Sequence, residues 1–216
     1  MIAPLTVPIP VSSRRAGVVL CGGRSSRMGR PKPWLPFAGE TLLGRVVRVL
    51  REVLEPVVVV AAPGQEVPPL PSGVEVVRDE VEGQGPLAGL AVGLAAVLSS
   101  TPDPAPVAYV SSCDVPFLKP AFAVRVVELL LEAPVRAAVP RVGGYLHPLA
   151  AAYHASILPV VRARLAAGDR RLTDLVARLP TRLLDPADLA TVDPDLVSLR
   201  NLNTPEEYAT ALESLS

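Results

Sequence analysis

The segment Leu20-Cys21-Gly22-Gly23-Arg24-Ser25-Ser26-Arg27-Met28-Gly29-Arg30-Pro31-Lys32 gathers the groups that hold a string of phosphates. The glycine pair lets the backbone approach a ligand closely, Ser25 and Ser26 offer hydroxyls, and Arg24, Arg27 and Lys32 supply cations. Neither common phosphate loop is present. There is no Gly-x-x-x-x-Gly-Lys-Ser/Thr, and Gly22-Gly23 lacks the third glycine of a dinucleotide fingerprint. The plain alternative is a surface turn of solvated charges; its place at the end of an apolar run favours an anion site.

A second constellation is Val110-Ser111-Ser112-Cys113-Asp114-Val115-Pro116-Phe117, where one carboxylate follows an apolar stretch. A lone carboxylate there suits Mg²⁺, a hard cation that keeps most of its waters and bridges to substrate phosphates, so Asp114 is the metal candidate. Otherwise it only caps a turn. Asp79 offers a second carboxylate for a metal, a ribose or a base edge. In Gly85-Pro86-Leu87-Ala88-Gly89 glycines flank a helix start whose free N–H groups can meet a base or phosphate. Asn201-Leu202-Asn203 sets two amides two residues apart, on one side if the chain is extended; equally, Asn203 is a turn residue before a capped helix. His147 reads as structural, and Arg170 and Arg171 as solvated charges near a helix start.

These residues need a frame that brings them together. Ala16 to Cys21 is a continuous apolar run, the pattern of a strand buried on both faces of a parallel sheet. Leu42, Val46, Val49, Leu50 and Val53 share one helix face that ends before Pro56. Strands are expected at 57–62, 74–77 and 107–112, with a helix over 87–98. Beyond Pro120 the pattern predicts a helix to about Glu132, strands at 137–139 and 149–153, and helices at 155–167 and 171–179. A last strand over 196–199 is expected, then a helix from Pro205 opened by the capping pattern Thr204-Pro205-Glu206-Glu207. Alternating strands and helices over 16–112 imply an α/β fold: an open, mostly parallel Rossmann-like sheet flanked by helices. Ligands then sit at the carboxyl ends of its strands.

The chain has 216 residues, 50% of them apolar and 19% charged, which excludes intrinsic disorder and fits one domain over 16–216. Lys plus Arg and Asp plus Glu number 21 each, leaving no excess charge for a polynucleotide or an acidic membrane surface. No apolar run approaches the roughly 18 to 20 residues that span a bilayer. Residues 1–15 carry no basic segment ahead of their apolar stretch, so a loose N-terminal extension is expected rather than a cleaved signal. Two cysteines and two histidines build neither a disulfide scaffold nor a zinc site, and cytoplasmic thiols are the default.

Together, the segments Leu20 to Lys32, Gly85 to Gly89, Cys113-Asp114-Val115-Pro116 and Asn201 to Glu207 resemble the molybdenum cofactor guanylyltransferases, over about residues 16 to 212. The opening loop alone resembles only the wider nucleotidyltransferase superfamily; the order and spacing of all four segments is narrower. The resemblance implies the nucleotide-diphospho-sugar transferase type of sheet, and transfer of GMP from GTP to molybdenum-molybdopterin with release of pyrophosphate and a need for Mg²⁺. It also implies a cytoplasmic enzyme in transient contact with cofactor-synthesis proteins or molybdoenzyme chaperones. Leu20, Cys21 and Gly22, with Gly23 adjoining, would line the nucleotide. Lys32 would hold its phosphates, Asp79 would contact GTP, and Asp114 would bind both GTP and Mg²⁺. Arg27, Arg171, Asn201 and Asn203 match positions tied to catalysis or pterin binding. The chain departs from the family pattern at Cys21, usually Ala, at Pro31, where Asp is common, and at Ala61-Ala62, where Asn often stands. Two alternatives stay open: a relative using CTP or UTP with a pterin, sugar or alditol phosphate, and an inactive nucleotide-binding regulatory or delivery module.

Overall fold

The computed structural model describes residues 14–22, 30–79, 83–100 and 105–215. In chain order the first half runs β1 (Arg15–Leu20), a 3-10 turn (Lys32–Trp34), β2 (Pro36–Phe37), β3 (Glu40–Thr41), α1 (Leu42–Arg51), β4 (Val57–Ala61), β5 (Glu75–Arg78) and α2 (Pro86–Ser100). The second half runs β6 (Val107–Ser112), α3 (Pro120–Leu131), β7 (Ala137–Val142), β8 (Tyr145–Leu146), β9 (Ala150–His154), α4 (Leu158–Ala166), α5 (Leu172–Val176), β10 (Thr181–Leu184), α6 (Pro186–Leu189) and α7 (Pro205–Glu213).

One sheet has the order β10-β7-β9-β6-β1-β4-β5, with β8 paired to β7. Strands β6, β1, β4 and β5 are mutually parallel, β9 runs antiparallel between β6 and β7, and β10 is parallel to β7. The expected mostly parallel α/β sheet is present, and the antiparallel β9 is what its sequence pattern left open. Helices α1 and α3 pack on one face of the sheet, while α2, α4 and α5 pack on the other. Strands β4 and β6 are buried throughout, and β1 from Ala16 onward, which is why they read as unbroken apolar runs. Close approach of α2 requires Gly93: a Cβ there would stand 2.4 Å from Val18 Cγ1 and 3.2 Å from Val60 Cγ2.

Where the sequence suggests a strand over 196–199, the chain forms a 3-10 turn (Val197–Leu199) entered through Leu196 at φ 51°. The reason is local. Asp193, fully buried, accepts a hydrogen bond from the Ser198 N–H (2.8 Å) and pairs with Lys119 Nζ (2.8 Å). Side-chain bonds of this kind satisfy the backbone without a ladder and favour a turn. The helix expected over 171–179 is also shorter, Leu172–Val176, with Arg171 as its N-cap.

Candidate active site

The strand tips of β6, β1, β4 and β5 open into a cleft of about 1020 Å³. Lys32, in the 3-10 turn after the loop, donates from Nζ to Asp114 Oδ2 (2.6 Å) and to Asn203 Oδ1 (3.0 Å). The other carboxylate oxygen, Asp114 Oδ1, accepts from Ser112 Oγ (2.5 Å). The ion pair is largely withdrawn from water: the Lys32 side chain is 18% exposed and that of Asp114 10%. A cation, a carboxylate and an amide thus converge from residues 82 and 171 positions apart along the chain.

Three local devices make that convergence. Asp114 begins just beyond the end of β6, and its carbonyl accepts from the Leu202 N–H (2.9 Å), tying the segment before α7 to the tip of β6. Leu202 is fully buried with Leu35, Phe37, Leu42 and Ala211 in a small core that joins the Lys32 turn to α7. Residues 201–203 are not a strand, but the alternation expected of an extended chain holds: Asn201 and Asn203 line the cleft while Leu202 turns inward. Third, the capping box of α7 is extended by one residue. Glu207 Oε2 accepts from the N–H groups of Thr204 (3.2 Å) and Asn203 (2.6 Å), fixing the backbone that carries the Asn203 amide.

Leu20, Cys21, Gly22 and Asp79 also line the cleft, as do Gly85, Pro86 and Gly89 around the start of α2. Gly23 and Arg27 lie outside the described residues. Arg171 is not among the residues that line the cleft; it sits exposed at the head of α5. Its segment nonetheless touches the rim, because a Cβ on Gly85 (φ 79°) would stand 3.2 Å from the Arg170 carbonyl. Arg170 folds back on its own loop, donating to the carbonyls of Asp169 (2.9 Å) and Leu165 (3.2 Å). Among the lining residues that the sequence reading passed over are Gln84 and Gln65, the latter signalled only by a polar side chain in the turn after β4.

The thiols of the cleft floor are inert. Burial pushes Cys21 up to about 12 and Cys113 well above its ordinary value, so neither supplies a thiolate nucleophile or ligand. Among the described residues no three His, Cys, Asp or Glu side chains cluster as a ready-made metal cage, so a cation here would rest on Asp114, water and phosphate oxygens. Both Asp114 oxygens keep lone pairs beyond the bonds from Ser112 and Lys32, which fits such a cation.

Parallel strand tips with glycines allowing close backbone approach are where an open α/β sheet takes its ligand, and comparisons with known proteins give the class of the chain as nucleotidyltransferase. Residues 17–183 match the family model described as "MobA-like NTP transferase domain", and the chain belongs to that family. It is similar to a probable molybdenum cofactor guanylyltransferase of Mycobacterium tuberculosis H37Rv, with 37% identity over 81% of this chain and 82% of the relative. Among solved structures it resembles molybdopterin-guanine dinucleotide biosynthesis protein A of Archaeoglobus fulgidus (TM-score 0.75, 23% identity, 93% of this chain and 98% of that one). It also resembles a Mycobacterium tuberculosis H37Rv protein solved in complex with manganese (TM-score 0.65, 24% identity, 94% and 100%). These two likenesses concern the fold.

Proposed function

We propose that the chain transfers GMP from GTP to the phosphate of molybdenum-molybdopterin, releasing pyrophosphate and forming the guanine dinucleotide form of the cofactor. The observation that carries this reading is the convergence of Lys32, Asp114 and Asn203 at the strand tips. The names and identity of the relatives supply the guanine and the pterin.

In this reaction an acceptor phosphate oxygen bonds to the α-phosphorus of GTP as the bond from that phosphorus to the pyrophosphate oxygen breaks. The attacking oxygen is already ionised, so no general base is needed; anion meets anion, and the work is positioning and charge neutralisation. Lys32, with Arg27 from the loop, takes the triphosphate and the departing pyrophosphate. Lys32 is suited to this because Asp114 and Asn203 hold its ammonium in place before any nucleotide arrives. Asp114 is the residue that would hold Mg²⁺, which would supply neutralisation of phosphate charge there. Leu20, Cys21, Gly22 and Gly23 bring backbone against the nucleoside, and Asp79 meets its base. Arg171, Asn201 and Asn203 are assigned to the acceptor.

The test is pyrophosphate release from GTP, Mg²⁺ and molybdenum-molybdopterin. Lys32→Ala and Asp114→Asn are each expected to cut turnover by about a hundredfold or more, the scale of losing one charge-stabilising group. Near-normal release from either folded variant overturns the assignment.

A further inference from the structure

One side chain lining the cleft has no part in the chemistry above. Gln65 lies in the turn after β4, and its amide bridges two strand ends: Nε2 donates to the Cys21 carbonyl (3.0 Å) and Oε1 accepts from the Ala62 N–H (2.9 Å). A carbonyl on one side and an N–H on the other admit only one orientation of the amide. The Gln65 carbonyl is in turn met by the Arg78 guanidinium (3.5 Å), and the next residue, Asp79, is fixed by its N–H on the Ala61 carbonyl (3.0 Å). The oriented amide therefore sits between the ends of β1 and β4, and the Asp79 carboxylate follows β5, the next strand; both line the end of the cleft away from β6.

The tip order β6-β1-β4-β5 puts that end opposite Asp114, which follows β6. With strands about 4.8 Å apart, the amide lies about one and a half spacings and Asp79 about three from the β6 tip, roughly 7 and 14 Å. A triphosphate held at Lys32 and Asp114 leaves the far end of the cleft, between the tips of β1, β4 and β5, for the base. Gln65, bonded once through each polar atom, keeps one Nε2 hydrogen and one Oε1 lone pair. Guanine presents along one edge an acceptor, O6, followed by the donors N1–H and N2–H₂; adenine presents a donor and then an acceptor, the reverse order. A carboxylate beside an amide N–H complements guanine and opposes adenine.

We propose that Gln65 is a specificity-determining residue that reads guanine: its spare Nε2 hydrogen donates to O6 while the Asp79 carboxylate accepts from N1–H and N2–H₂. The two backbone bonds hold the amide ready, so base selection needs no rearrangement of the turn. This assignment rests on the GTP reading above and deepens it.

The test is binding of GTP, ITP, ATP and CTP, each with Mg²⁺, to the full chain and to the uncharged variants Gln65→Ala and Gln65→Met. Melting temperatures establish that each variant is folded. The variants are expected to weaken GTP and ITP, which both carry O6, by about tenfold, as for one lost hydrogen bond, and to change ATP and CTP less than about twofold. The GTP to ITP ratio, which reports N2–H₂ at Asp79, stays as in the parent. Equal weakening of all four triphosphates reduces Gln65 to a strut between strand ends and overturns the assignment. A parent chain that prefers GTP with variants that prefer it equally overturns the assignment alone. A parent chain with no preference for GTP overturns both this assignment and the GTP reading.

Discussion

His154 shows how a residue outside the cleft sets the conditions under which the fold holds. It is 7% exposed, and its Nδ1 accepts from the Ser156 N–H (3.3 Å). Burial, with the neighbouring Arg136 cation as the lesser cause, lowers its pKa from 6.5 to about 4. The unfolded chain therefore takes up the proton first. The contribution is whole above pH 6.5, falls as the pH drops, and is gone below about 4. Between pH 7.5 and 5 the loss is expected to be about 2 kcal/mol in urea unfolding, and His154→Gln should flatten that slope. An unaltered slope in the variant would place the acid sensitivity elsewhere. The carboxyl of Asp193 titrates in a lower window: burial raises it, but bonds from Lys119 and Ser198 outweigh burial and hold it below its ordinary value. In the cleft itself, Asp114 and Lys32 were legible because each is a charged residue of a motif that follows a strand. The Gln65 amide was not, since its importance lies in what its two polar atoms touch rather than in any spacing.

At the scale of elements, the strands that position the site were readable because a strand buried on both faces must be apolar throughout. Strand β6 occupies the expected residues 107–112, and β4 differs from its expected range by one residue. What the pattern does not encode is pairing. Strand β9 is as apolar as its neighbours but inserts antiparallel between β6 and β7, and β10 and α6 follow α5 with no long apolar run to announce them. The expected strand at 196–199 gave way to a turn because the buried Asp193 is satisfied by Lys119 and Ser198, partners visible only in three dimensions. Helix α2 lies so close on the sheet that Gly93→Ala must displace Val18 or the helix itself. The expected cost is about 1 to 3 kcal/mol in urea unfolding, the range for overpacking a core. No loss of stability would mean that α2 packs farther from β1 than a 2.4 Å approach of a Gly93 Cβ to Val18 requires.

For the whole molecule, equal numbers of acidic and basic residues, 21 of each, hide a local arrangement in which one lysine and one aspartate face each other at the mouth of the sheet. Three distant segments meet there because the small core around Leu202 links the Lys32 turn to α7 while the Leu202 N–H binds the Asp114 carbonyl. The family to which the chain belongs was legible from four short segments, since their residue types and order survive without any knowledge of distance. The meeting itself was not, because Asn201-Leu202-Asn203 lies in irregular backbone whose course is set by burial and capping. The most direct measurement is a crystal structure with GTP and Mg²⁺ bound. It should show the triphosphate within hydrogen-bond distance of Lys32 Nζ, the cation on Asp114 and the base between the tips of β1, β4 and β5; a nucleotide whose phosphates touch neither Lys32 nor Asp114 would contradict the account.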